Sequence, residues 1–275
     1  MAETLGYTDK KCKKGVLNML RLIKTEGKKI FFPVLLVTVI MAVVASVLSC
    51  TLYQNYALHY DLEAWEIGTE FFGLLYPLFV VIPLCWSLFY EKKNNFLLYV
   101  VPRVSLGKYM AVKWFVYALG SFTIIAFPYI FSAMIALYVK APVVPFDPSM
   151  TESPFAHVFF DTFVHRPLLY AVALSCWKGL IGVLVMTMGF VLAMYCKNIF
   201  IVLTAPFMYS ILESFILAIL SIPEYRLVTA FEPTCVSSEA VSVLSFIVGP
   251  VLLLTATVLL ACFYAKFKKM RIVEA

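Results

Sequence analysis

Residues 91–113 read EKKNNFLLYVVPRVSLGKYMAVK, a short basic stretch between two apolar runs, 71–90 and 109–139. Outward from it, the chain holds four more such runs, 30–50, 168–196, 199–222 and 241–263. Each approaches the ~20 residues needed to cross ~30 Å of hydrocarbon. Lipid offers no water to satisfy open strand edges, so all six are expected as helices. Composition agrees: 63% of residues are hydrophobic, 14% are charged and the mean hydropathy is +0.92, where a soluble domain has roughly a quarter charged. The expected fold is all-α, a polytopic membrane protein with six transmembrane helices.

Lys and Arg set its orientation. The amino-terminal segment, the loop after span two, Lys197 and the carboxyl-terminal tail hold eighteen of the 22 Lys and Arg. Lys140, Arg166 and Arg226 fall on the other side, and Lys178 lies inside span four. Both termini are therefore expected in the cytoplasm, with the protein multi-pass in the cell membrane. The formal charge of +6 reads as a topology and lipid-surface signal, with no nucleic-acid partner. The domains follow: residues 1–29 a cytoplasmic basic segment with an amphipathic interfacial helix, 30–267 the six-helix transmembrane domain, 268–275 a short basic tail.

In that first segment Val16, Leu17, Leu20 and Ile23 share one helical stripe, with Lys14, Asn18, Arg21 and Lys28 opposite, which suits a helix in the headgroup layer. Span one is expected as an uncleaved anchor; its Ala42-x-x-x-Ser46 and Ala45-x-x-x-Ser49 spacings permit close helix approach. The external loop 51–70 carries Asp61, Glu63, Glu66 and Glu70 and no Lys or Arg. Pro77 and Pro83 are expected to kink span two. Of seven cysteines, Cys50 and Cys235 can both reach the outer face, as a bridge or as two thiols.

The stretch at 91–113 carries a family resemblance. Glu91, Phe96-Leu97-Leu98, Val101-Pro102-Arg103, Gly107-Lys108-Tyr109 and Lys113 together resemble the type-2 ABC exporter permeases, in which a Glu after span two leads to a Leu-rich turn, a Pro-Arg motif and a Lys-bearing entry to span three. The motif covers about twenty residues; the interfacial helix, six spans and large external loops extend the likeness over nearly the whole chain. Where that family has Gly after the Glu, this chain has Lys92 to Asn95. The resemblance implies that Glu91, Phe96, Leu97, Leu98, Pro102 and Arg103 couple to separate ATPase subunits, which hold ATP and Mg. It also implies a second permease copy or homologue as partner.

Three other features carry chemistry. Ser153-Pro154 reads as the start of a helix on which His157, Asp161 and His165 recur every four residues, a spacing that could hold a metal but is expected to be the polar face of a helix in the outer headgroup layer. Lys178 and Glu213 are the two ionisable groups deep in the apolar runs, ~27 Å and ~21 Å from the basic end by helical rise. They are expected either to pair or to line a wet path. No Walker A loop, H-E-x-x-H or G-x-S-x-G occurs, so the chain is expected to be no enzyme, with no catalytic, cofactor or metal residue of its own. The expected function is the permease of an ABC exporter moving an amphiphilic peptide, drug or lipid-like substrate. A proton- or ion-coupled secondary transporter using Lys178 and Glu213, or an intramembrane enzyme, are the alternatives.

Overall fold

The computed structural model describes residues 2–56, 58–100, 102, 104–143, 157, 159–235 and 242–267, with backbone alone for 2–18, 235 and 267. Among them the chain is predominantly helical, with no strand. The helices are α1 (Ala2–Thr51), α2 (Glu63–Glu70), α3 (Phe72–Lys93), α4 (Leu97–Val100), α5 (Leu106–Tyr138), α6 (Phe160–His165), α7 (Pro167–Tyr195), α8 (Ile199–Ile219), α9 (Leu227–Phe231) and α10 (Val243–Phe267). Six of these, α1, α3, α5, α7, α8 and α10, are long and apolar enough to cross a membrane. The protein is thus an all-helical, multi-pass membrane protein.

Burial divides the six helices into two layers. Half or more of the apolar stretch of α3, α5 and α7 is buried, against a third or less in α1, α8 and α10. The inner three pack on one another, α1 lies along α5, α8 along α3 and α7, and α10 along α9 and α7. A side chain at Gly189 would meet Val81 and Cys85 at 3.0 Å, so its absence lets α7 and α3 approach closely. Gly249 plays the same part for α10: a Cβ there would lie 2.7 Å from the Leu227 Cα of α9. Both glycines sit inside unbroken helices and act in packing; Pro33, Pro77, Pro83, Pro128, Pro206 and Pro250 also lie within helices that continue past them.

Several details differ from the sequence reading. The amphipathic stretch before residue 30 and span one form one continuous helix, α1; nothing between Lys28 and Phe32 is a helix breaker, so propagation continues. Ser105 occupies the N-cap position of α5, but its side chain makes no capping bond; Asn198 does cap α8, accepting from the Phe200 N–H at 2.9 Å. The helix expected from Ser153 begins at Phe160, after Phe159 in the left-handed region at φ 62°. Ser153, Pro154, Phe155 and Val158 lie outside the described residues, as do Val101, Arg103, Ser237, Ser238 and the tail from 268. Cys50 is a free thiol.

Candidate functional site

At the end where the lysines gather, four charges on three helices close into a quartet. The Lys29 ammonium of α1 reaches Glu26 at 2.6 Å and Glu91 of α3 at 3.2 Å. Lys113 of α5, fully buried, contacts Glu26 at 3.3 Å and Glu91 more closely still. The Tyr109 hydroxyl donates to Glu91 at 3.0 Å. Two acids and two bases sum to zero, which makes burial of Lys113 tolerable. Glu91, singled out by the family resemblance, is thus a cross-link of α1, α3 and α5. Glu26 and Lys113 complete it; neither stood out in the sequence as its partner, because they lie 65 and 22 residues away.

The turn after Glu91 passes through Asn95 at φ 55° into α4. Leu97, expected on a docking surface, is instead 2% exposed and part of the core. With i and i+1 on different sides of a single helical turn, burying Leu97 turns Leu98 and Tyr99 outward. Leu98 and Tyr99 are exposed, as are Phe96, beneath whose ring the Lys29 ammonium stands 4.9 Å from the centroid, and Pro102. Lys29, Trp86, Tyr90, Glu91, Asn94, Phe96 and Tyr99 line an open groove of about 520 Å³.

A second cluster occupies the opposite end. Lys178 of α7 is fully buried, but its partner is not Glu213: its ammonium donates to Glu232 at 2.6 Å. The rings of Tyr129, Trp65 and Phe231 surround that ammonium with centroids at 4.3, 5.2 and 5.3 Å, a cation–π cage. Glu213 instead receives the Leu227 N–H on both oxygens, at 3.0 and 3.1 Å, capping the start of α9. The segment between α8 and α10 therefore folds back as a plug: Leu227, Thr229, Ala230, Phe231 and Glu232 are buried. Phe231 stacks on Tyr76 at 4.0 Å, and the Trp177 indole donates to the Ala230 carbonyl at 3.2 Å. The short α7–α8 connection makes those helices neighbours without aiming Lys178 at Glu213; a loop residue fills the gap.

His157 also departs from expectation. It leaves Asp161 and His165, which pair with each other at 3.1 Å on the surface. Its own ring stacks on Phe163 at 3.8 Å and stands 3.9 Å from Glu63 and 3.5 Å from Glu66. Burial draws its pKa down, but the two carboxylates more than reverse this and push it up to about 9. No set of three His, Cys, Asp or Glu side chains among the described residues is arranged to hold a metal. Glu66 and Glu232 were missed as site residues. The acidic loop 51–70 without a balancing base was the sequence signal for the first; nothing local marks the second. Compared with known families, with curated proteins and with solved structures, the chain matches none.

Proposed function

We propose that this chain is the membrane-spanning permease subunit of an ATP-driven exporter of the type-2 ABC kind, its lysine-rich end facing the cytoplasm. The observation that carries this reading is the quartet Glu26, Lys29, Glu91 and Lys113, in which Glu26 and Lys113 are buried and Lys29 reaches the surface. It ties the long first helix, α3 and α5 to the very residue from which the turn bearing the exposed Phe96, Leu98 and Tyr99 departs. A partner seated on that turn and its groove gains a rigid handle on three membrane helices at once. Displacement of such a linked element is how a ligand-driven partner shifts a two-state bundle. The substrate proposed is amphiphilic, and ATP and Mg are held by the partner.

The test is affinity purification of the full chain from native membranes, followed by ATPase assay of the eluate. An ATP-hydrolysing partner is expected with the unaltered chain and is expected to be lost in Leu98→Asp and Tyr99→Asp, both exposed positions, with thermal stability unchanged. Transport in vesicles driven by an ion gradient without nucleotide would overturn the reading in favour of an ion-coupled carrier.

A further inference from the structure

The cluster opposite the lysine-rich end contains three deeply buried carboxylates, Glu63, Glu66 and Glu232, each no more than 2% exposed. Two of them hold donors suited to a charged carboxylate. Glu63 accepts the His59 and Tyr60 N–H groups at 2.7 and 3.2 Å, and Glu232 accepts the Lys178 ammonium at 2.6 Å. Glu66 differs. Among the described residues no hydrogen bond reaches either of its oxygens; His157 Nδ1 stands 3.5 Å from one of them, at the edge of range.

Charge balance then locates a proton. With Lys178 and His157 positive and Glu63 and Glu232 negative, the cluster is neutral only if Glu66 is uncharged. An ionised Glu66 would leave one buried negative charge in excess, which a low-dielectric interior strongly disfavours. We propose that this cluster is a proton-binding site with Glu66 as the carrier, the proton exchanging with solvent past Glu70 at the rim. Glu63, Glu66, Ile67, Glu70 and Thr234 line a small cavity of about 30 Å³ there, and Glu70 is exposed. That space is of the order of a water molecule.

Among the described residues the surroundings supply no other counter-charge. From α1, which packs on α2, no charged residue lies between Lys29 and Thr51. From α3 comes Tyr76, and from α5 come Tyr129 and, at its end, Lys140, which is engaged by Asp61 at 3.1 Å. From α7 come Tyr170 and Lys178, from the segment before α6 His157, and from the plug Glu232. Burial raises Glu66 above the usual carboxylate range, with His157 and Lys178 opposing it. Burial likewise lifts Glu232, to about 7, but there the Lys178 hydrogen bond favours the ionised form. Loss of the proton sets Glu66 against Glu232 for Lys178, so occupancy of the site bears on how the plug is held. The site stands independently of any ATPase partner.

Infrared pH-difference spectra of the full chain in lipid nanodiscs test this. A protonated-carboxyl carbonyl band is expected at neutral pH, lost in Glu66→Gln and kept in Glu213→Gln and Glu70→Gln. His157→Gln, which removes a positive charge facing Glu66, is expected to move the midpoint of that band upward. Absence of the band in the unaltered protein, its persistence in Glu66→Gln, or a midpoint unmoved or lowered in His157→Gln overturns the proposal. Loss of the band on adding sodium or potassium at fixed pH also overturns it, because a metal cation then takes the place assigned to the proton. If Glu66→Gln does not fold, the spectrum of Glu213→Gln and the His157→Gln shift decide.

Discussion

Among single residues, Lys178 has the clearest consequences. Its charge is buried in an aromatic cage and matched by Glu232 at 2.6 Å, so removing either partner strands the other. Lys178→Met and Glu232→Gln are each expected to cost about 3–5 kcal/mol, and the double variant less than their sum. Lys178→Met with Glu213→Gln is expected to be close to additive, because Glu213 serves the Leu227 N–H. Unfolding in detergent, scored for all five variants, checks both cycles. His157 supplies a second measurement. Its folded pKa, about 9, lies above the ordinary 6.5, so its stabilisation is complete below 6.5 and is lost as pH rises through about 9. Glu66 and Glu232 are also raised and act with the same sign at lower pH. Stability is therefore expected to fall on the order of 3 kcal/mol across the histidine window, and His157→Gln is expected to flatten that slope. A profile that rises with pH would contradict the assignment. Lys178 was legible as a costly buried charge because it interrupts an apolar run. Its partner was not, because Glu232 is 54 residues away in a loop whose polarity alone reads as external.

At the level of elements, the six spans were legible because hydrocarbon imposes length and apolarity on each one separately. The pieces between them were not, since α2, α4 and α9 are one or two turns each and take their form from what they pack against. At the start of α4, Phe96, Leu97 and Leu98 are equally apolar, and only the bundle decides that Leu97 points inward. Leu97→Asp is accordingly expected to destabilise the fold by several kcal/mol through an unpaired buried carboxylate, while Leu98→Asp leaves stability within about 0.5 kcal/mol. Equal effects of the two on melting temperature would contradict this placement. The plug gives a further test. Gly249→Ala brings a methyl to 2.7 Å from the Leu227 backbone, and backbone cannot step aside as a flexible side chain can. A loss of about 1–3 kcal/mol is expected, whereas Gly107→Ala, where a Cβ meets nothing within 4 Å, is expected to be neutral or stabilising.

For the whole molecule, both ends carry a charge cluster built round a fully buried lysine, yet the two ends differ in what surrounds the cluster. One end gathers most of the Lys and Arg of the chain; the other has the acidic loop 51–70 and the plug. By the positive-inside rule we propose that the first lies in the cytoplasm; helix order would then give the side of every loop. Asn94, in the turn after α3, and Asn55, beyond the far end of α1, are both exposed, so each can report its side without disturbing packing. The labelling needs a cysteine-free background. Cys85 is the sensitive position there, buried against Gly189, and Cys85→Ala trades a snug thiol for a small void instead of a clash, at a cost of about 1 kcal/mol. In that background, Asn55→Cys is expected to react with a membrane-impermeant maleimide on intact cells, and Asn94→Cys only after the membrane is opened. The reverse pattern would invert the molecule, putting the Glu91 quartet and the groove beside it outside. A nucleotide-binding partner could then not reach Leu98 and Tyr99, and the exporter reading would fall with the orientation.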